Sequence, residues 1–311
     1  MPKEFLVSVV IPVFNEEQNI APLIDQVKAA LDTFSYELIF VDDGSTDNTA
    51  KVIKQHASSD KNIKLISFVR NFGHQTALTA GYVAAKGNCV ISIDADLQDP
   101  PELINEMIEE WRKGFKIVYA KRTARDESLF KRFTADLFYK LINSLSDTPI
   151  PQEVGDFRLL DQEVVKLINS LPEKSRFLRG LVAWGGFPST YVSFARKKRA
   201  AGNTHYTLSK MLNFALDGIV SFSTKPLKIA SYIGFFASIL GFVGIAYALY
   251  RRFFLPHEYW VTGWTALFVA VVFFGGIQLL TIGIIGEYIG KIYREVQGRP
   301  TFLVKDKVNL E

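Results

Sequence analysis

Along the first 120 residues, apolar positions fall into two alternating patterns. Short runs rich in Val and Ile are followed by stretches in which apolar side chains recur every three or four residues. Phe5–Val13 is a continuous apolar run and predicts a buried strand. Asn15 followed by Gln18 reads as a capping box, and Ile20, Leu23, Ile24, Val27 and Leu31 continue at helical spacing. Glu37–Val41, Ile63–Val69, Val90–Ile93 and Ile117–Ala120 predict further strands. Helices are expected beyond Asp47, over Gln75–Ala85, and to Trp111 from Pro101, a residue suited to a first helical turn. Repeated strand–helix units imply an α/β fold with a parallel sheet, whose ligand groups sit at the carboxyl ends of the strands.

Beyond Arg122 the period changes. Leu129, Phe130, Phe133, Leu137, Phe138, Leu141 and Leu145 make a wide helical stripe, with Lys131, Arg132 and Lys140 elsewhere on the turn. Two readings stand: a helix packed on the sheet, or one lying at a membrane surface with its basic residues near lipid phosphates. Leu208–Phe222 is a second amphipathic stretch, read as interfacial because it leads into an apolar span. Ile229–Tyr250 and Trp264–Ile285 each run 22 residues without Asp, Glu, Lys or Arg, the length that crosses a bilayer. The pattern divides the chain into a soluble domain (1–207), a juxtamembrane amphipathic helix (208–227), a two-helix transmembrane hairpin (228–290) and a basic tail (291–311).

Composition agrees with that division. The mean hydropathy lies just above zero, and the excess is concentrated in the two spans. Such a chain is neither disordered, nor a small disulfide scaffold, nor a purely soluble enzyme. The 36 basic and 32 acidic residues leave a net charge of +4, which gives no footprint for a nucleic acid. The lone Cys89 allows no internal disulfide and suits a reducing compartment. An acidic residue stands among Met1-Pro2-Lys3-Glu4, and the apolar run behind it leads into Pro12 and Asn15, so no export signal is expected. The soluble domain and both termini are placed on the cytosolic face of the cell (inner) membrane. Lys291, Arg294, Arg299, Lys305 and Lys307 near the tail outnumber Arg251 and Arg252 of the hairpin loop.

Asp94-Ala95-Asp96 carries the strongest local chemistry. It follows a strand pattern, and residues two apart on an extended segment face the same way. Two converging carboxylates call for a cation, and oxygen donors favour Mg²⁺ or Mn²⁺, with Gln98 as a neutral third donor. Asp42-Asp43 closes the neighbouring strand–helix unit, where nucleotide sugar hydroxyls usually meet a carboxylate.

Ile11-Pro12-Val13-Phe14-Asn15-Glu16, Val41-Asp42-Asp43-Gly44-Ser45-Thr46-Asp47, Arg70-Asn71-Phe72-Gly73-His74 and Asp94-Ala95-Asp96-Leu97-Gln98-Asp99 stand in the order seen in glycosyltransferase family 2. With its two C-terminal spans, the chain resembles the membrane-anchored polyprenyl-phosphate glycosyltransferases, relatives of dolichyl-phosphate mannose synthase. The resemblance implies a GT-A type, Rossmann-like nucleotide-sugar domain followed by interfacial helices and two transmembrane helices. It places Pro12, Phe14 and Glu16 around the nucleotide base and ribose with Asp43 nearby. Asp94, with Ala95 beside it, falls at the nucleotide sugar, and Asp96 and Gln98 join Asp94 around the metal on the diphosphate. Arg122 matches a basic position facing the reaction centre, and Asp156 in Gly155-Asp156-Phe157-Arg158 matches the acidic residue proposed as catalytic. Arg199 matches a phosphate-binding arginine whose pattern usually continues Gly-x-Ser-Lys-Tyr. Here it continues Gly202-Asn203-Thr204-His205-Tyr206, with His205 at the position of the lysine.

The function so implied is an inverting, metal-dependent transfer of a single sugar from a nucleotide sugar to undecaprenyl or dolichyl phosphate. UDP-glucose is the first donor and GDP-mannose the second. Asp156 is either a proton acceptor or a positioning residue. His74 reads either as a basic group near the nucleotide or as a solvated loop histidine, and His56 and His257 have no metal-ligand partner at useful spacing. Gly275-Gly276, Gly283 and Gly286 suit helix association into a homo-oligomer. A processive polysaccharide synthase is the rival enzyme, although no Gln-x-x-Arg-Trp segment occurs. A catalytically silent nucleotide-sugar-binding membrane subunit is the rival outside enzymes.

Overall fold

The computed structural model describes residues 5–123, 154–174, 176–195, 223–254 and 263–310. Strands β1 (Leu6–Val13), β2 (Ser35–Asp42), β3 (Ile63–Phe68) and β4 (Cys89–Ser92) run parallel. Each leads to a helix: α1 (Ile20–Ala30), α2 (Thr49–Ser59), α3 (His74–Ala84) and α4 (Leu103–Arg112). Every residue of β1 from Val7 to Val13 is buried, which is why its sequence is apolar without alternation. Its side chains feed two cores, one on each face of the sheet. Val7, Val9 and Ile11 pack with Leu23 of α1, Ile53 of α2 and Ile104 of α4. Val10 packs with Ala77 and Leu78 of α3 on the opposite face.

One helix boundary shifts and another holds. Asn15 does not cap a helix: its backbone is left-handed (φ 56°), and its side chain bonds the neighbouring loop instead. α1 begins only at Ile20, after Asn19. The helix expected beyond Asp47 begins at Thr49, whose N–H donates to Asp47 Oδ1 at 2.9 Å.

After β4 the expected run of parallel strands gives way. β5 (Ile117–Thr123) does not join β4; β6 (Val154–Asp161) lies between them, antiparallel to both. α5 (Gln162–Ser170) and α6 (Leu178–Trp184) follow, then β7 (Ser189–Ala195), which pairs parallel with β5. The sheet is therefore mixed, in the order β7-β5-β6-β4-β1-β2-β3-β8. Along β6, Phe157 and Leu159 enter one core and Leu160 the other. By strand alternation Asp156 and Arg158 share the face of Leu160, beneath α3, α5 and α6.

Helices α7 (Lys225–Phe254) and α8 (Trp264–Val296) contact each other and contain the two candidate membrane spans. Phe235, Phe242, Leu279 and Ile282 remain exposed on them, the pattern of helices whose solvent is lipid. Arg251 and Arg252 belong to the last turns of α7, not to a loop. The segment expected as a basic tail is also more ordered than its charge suggested. Lys291 and Arg294 continue α8, and β8 (Val304–Val308) returns to the sheet antiparallel to β3. Val308 packs on one core and Phe302 and Leu310 on the other, so apolar anchors on both faces outweigh the charges between them. Exposed Lys305 and Lys307 suit a short sheet edge. The stripe Leu129–Leu145, the amphipathic stretch Leu208–Phe222, Arg199 and His205 lie outside the described residues.

Candidate active site

The carboxyl ends of β1 to β4 bring the motif loops side by side, and hydrogen bonds lace them together. Asn15 N–H donates to Ser45 Oγ (2.9 Å), and Asn15 Oδ1 accepts from Thr46 N–H (2.8 Å). Glu16 N–H donates to Thr49 Oγ1 (2.9 Å). Asp43 ties the next loop: its two oxygens accept from Phe72 N–H (2.6 Å) and Gly73 N–H (2.9 Å). Gly44 makes that approach possible, because at its φ of 74° a Cβ would stand 2.5 Å from the backbone carbon of Arg70.

The residues expected around the nucleotide are thus divided. Phe14 is 45% exposed at the end of β1, and Glu16 is half-buried and accepts from Asn19 Nδ2. Pro12 is buried in β1 opposite Val41, Ala95 is buried, and Asp43 is only 4% exposed. Burial pushes the Asp43 pKa up, opposed by its two backbone donors and assisted by the neighbouring charge of Asp42. Asp43 therefore forms the floor that holds the Phe72–Gly73 loop.

Asp94 and Asp96 do not lie on a strand. β4 ends at Ser92 and the chain turns at 95–96, so the alternation argument does not apply to them. Leu97 is left-handed (φ 58°), and Gln98 N–H donates to Asp96 Oδ1 at 3.1 Å. Backbone of this kind in a non-glycine residue costs roughly 1–3 kcal/mol and persists where surrounding structure imposes it. Both carboxylates are partly open, and Gln98 is buried. Among the described residues no group of three His, Cys, Asp or Glu forms a closed metal cage. Two open carboxylates and an amide fit Mg²⁺ or Mn²⁺, ions commonly shared between one or two carboxylates and the phosphates of a ligand.

Asp156 is the electrostatic centre of the site. Arg179 of α6 donates Nε to Oδ1 (3.2 Å) and Nη2 to Oδ2 (3.1 Å), and Arg158 Nη2 lies 3.3 Å from Oδ1. Gln75 Nε2 donates to Oδ2 (3.3 Å), while Gln75 Oε1 accepts from Leu178 N–H (3.1 Å), joining α3, β6 and α6. His74 Nε2 lies 3.3 Å from Asp156 Oδ2 and 3.6 Å from Asp94 Oδ1. Burial disfavours ionised Asp156, yet Arg179, the His74 hydrogen bond and Arg158 hold its pKa well below the usual carboxylate range. His74 keeps 43% of its side-chain surface open, and desolvation by its surroundings still opposes its charge. The Asp156 hydrogen bond and the charges of Asp94 and Asp156 prevail, lifting the imidazole to about 8. Such a carboxylate is a weak proton acceptor and a strong organiser of cations.

Arg122 lies in β5 opposite Phe194 of β7. Arg179 and Gln75, which grip Asp156 directly, carried no motif signal. Arg158 stood inside a quoted motif without a role, and His74 is a bridge between two motifs instead of a solvated loop residue.

Comparison with known proteins gives two family matches: Glycosyl transferase family 2 over residues 8–168 and the GtrB C-terminal hairpin over residues 225–292. A protein of Bacillus subtilis (strain 168), named as the uncharacterized glycosyltransferase YkcC, is 46% identical over 314 residues, covering 100% of this chain and 97% of the relative. The SfII prophage-derived bactoprenol glucosyl transferase of Shigella flexneri is 42% identical over 302 residues, covering 96% and 97%. Among solved structures, glucosyl-3-phosphoglycerate synthase from Mycobacterium tuberculosis, in complex with Mn²⁺, UDP-glucose and phosphoglyceric acid, aligns at a TM-score of 0.48 and 22% identity. That alignment covers 70% of this chain and 78% of the synthase.

Proposed function

We propose, from the premise that the chain belongs to glycosyltransferase family 2, that this glycosyltransferase moves one glucosyl unit from UDP-glucose to a polyprenyl phosphate at the cytosolic membrane face. The Shigella flexneri relative, named a bactoprenol glucosyl transferase, supports both the sugar and the class of carrier. An oxygen of the acceptor phosphate attacks the anomeric carbon with inversion. The bond from that carbon to the diphosphate breaks, and UDP leaves with the electron pair. A phosphate monoester has its second pKa near ~6, so the nucleophile is largely ionised at neutral pH and needs no strong base.

Asp156 accordingly acts by position. Ionised, it fixes Arg179 and His74 at the rim where negative charge develops. Phe14 and Glu16, at the open end of β1, are assigned to the base and ribose with Pro12 buried behind them. The family pattern assigns Arg122 to the reaction centre and Arg199 and His205 to the phosphates. A divalent ion held by Asp94, Asp96 and Gln98 supplies charge neutralisation on the leaving diphosphate when bound. The observation that carries this reading is the convergence of two motifs on one histidine: His74 contacts Asp94 of the acidic turn and Asp156 of β6. The membrane assignment is supported by the apolar helices α7 and α8, after which the chain rejoins the same sheet.

The test incubates membranes containing the protein with labelled UDP-glucose or GDP-mannose, undecaprenyl phosphate and Mg²⁺, with EDTA as control. The expected product is a lipid carrying one glucose, made from UDP-glucose and lost in EDTA. Polymer identifies a processive synthase, nucleotide binding without product identifies a silent subunit, and mannosyl lipid replaces the donor.

A further inference from the structure

The chain beyond α8 reaches the motif rim through a column of aromatic rings. Phe302 stacks on Phe68 at the end of β3, with ring centroids 5.0 Å apart and planes 19° from parallel. Phe68 in turn meets Phe72 edge-on at 5.7 Å and 88°. The guanidinium of Arg70 lies over Phe72, 4.1 Å from the ring centre. The backbone runs alongside, with Val69 N–H donating to Leu303 C=O at 3.1 Å. Phe72 is also the residue whose N–H binds Asp43, and the helix carrying His74 and Gln75 begins two residues later. A segment from the far end of the chain therefore buttresses the third motif, Arg70–His74, whose backbone is tied to Asp43 of the second.

We propose that Phe302 is a positioning residue for the donor nucleotide site, acting through Phe68 and Phe72 on the Phe72 and Gly73 amides that hold Asp43, the carboxylate assigned beside the ribose. The proposal rests on the donor reading above. It assigns to β8 more than closure of a sheet edge. The strap has two separable ends: Phe302 under the loop, and Asn309 at the distal end. Asn309 Nδ2 donates to Ala57 C=O and Ile63 C=O, at 2.8 Å each, on the amino-terminal side of β3. Loss of the distal end loosens the strand, whereas loss of the ring tilts the loop.

The experiment uses the full chain in detergent with Mg²⁺. UDP affinity is measured by calorimetry and kcat and KM for UDP-glucose by product formation, in wild type, Phe302→Ala, Phe302→Leu, Phe302→Tyr and Asn309→Ala. An aromatic pair of this kind corresponds to a change of about three- to tenfold. Phe302→Ala is expected to weaken UDP binding and raise KM by up to that factor, with a smaller change in kcat because His74 is also held by Asp94 and Asp156. Phe302→Leu, which fills the space without the ring, should fall between Phe302→Ala and wild type, and Phe302→Tyr should restore wild-type affinity. Asn309→Ala should lower Tm and leave KM alone. Unchanged UDP affinity in Phe302→Ala, or an equal rise of KM in Asn309→Ala, overturns the proposal. A wild-type chain that binds no UDP overturns the donor reading itself, and this proposal with it.

Discussion

Arg179 holds both oxygens of Asp156, Nε to one at 3.2 Å and Nη2 to the other at 3.1 Å. A planar fork fixes the carboxylate plane in a way that a point charge does not. Arg179→Lys preserves the charge and removes the fork. Its kcat is expected to fall by up to ~10²-fold, the scale of a 1 Å misplacement in a site, with KM for UDP-glucose little changed. Wild-type kcat in steady-state assays of this variant would show that the fork has no catalytic consequence.

Asp156→Asn keeps the shape and removes the charge. It leaves Arg158, which is fully buried, without its compensating carboxylate. Breaking a buried ion pair from one side costs about 3–5 kcal/mol, so Tm should fall together with turnover. UDP binding should persist, since Phe14 and the Asp94–Gln98 turn are untouched. Near-full turnover, or an unchanged Tm, contradicts the role assigned to the carboxylate.

His74 gives the fold a pH dependence with a defined sign. Its pKa rises from 6.5 to about 8 in the folded chain, so folding favours the protonated imidazole. The stabilisation is fully present below the unfolded value of 6.5 and is lost as pH rises through about 8. In EDTA, the Tm advantage of wild type over His74→Gln should be largest near about pH 6 and vanish by about pH 9. An advantage that grows with pH would contradict the pairing with Asp94 and Asp156.

The acidic turn predicts a metal requirement. Activity should vanish in EDTA and return with Mg²⁺ or Mn²⁺. Asp96→Asn should raise the Mg²⁺ concentration for half-maximal activity roughly tenfold or more, the change that ~1.4 kcal/mol of lost binding produces. A metal titration identical to wild type removes Asp96 from the donor set.

These tests fall partly on residues that local pattern reveals and partly on residues it hides. An unbroken apolar run such as Val7–Val13 has one physical outcome, burial on both faces, so the first four strands and their helices are legible. β6 is not legible as a buried strand, because Asp156 and Arg158 alternate with Phe157 and Leu159 like the solvent face of a strand, yet both are buried, Asp156 pairing with Arg158 and with Arg179. β8 is hidden for a related reason: Val304-Lys305-Asp306-Lys307-Val308 looks like a solvated tail until β3 provides its ladder. The acid pair and the motif order point to the candidate site, where His74 lies near both Asp94 and Asp156. Gln75 and Arg179 reach it only because α3 and α6 are laid over β6, which no local spacing encodes. The capping-box reading at Asn15 fails because the side chain meets a better partner across the rim, in Thr46.

The return of β8 also decides what a topology experiment should find. A strand paired with β3 must lie on the same side of any membrane as the motif loops, so the expected topology of the candidate spans in α7 and α8 is an out-and-back hairpin. The one cysteine, Cys89, is fully buried, and burial pushes its thiol pKa up, so it contributes no background to thiol labelling. Single cysteines can then be placed at Gly263, preceding α8, and at Lys305, exposed on β8. In intact cells a membrane-impermeant maleimide should label Gly263→Cys and leave Lys305→Cys unlabelled until the membrane is permeabilised. Labelling of Lys305→Cys from outside would place the catalytic domain on the wrong face for a cytosolic nucleotide sugar. Protection of both sites in intact cells, followed by labelling of both on permeabilisation, would instead mean that the two helices do not span.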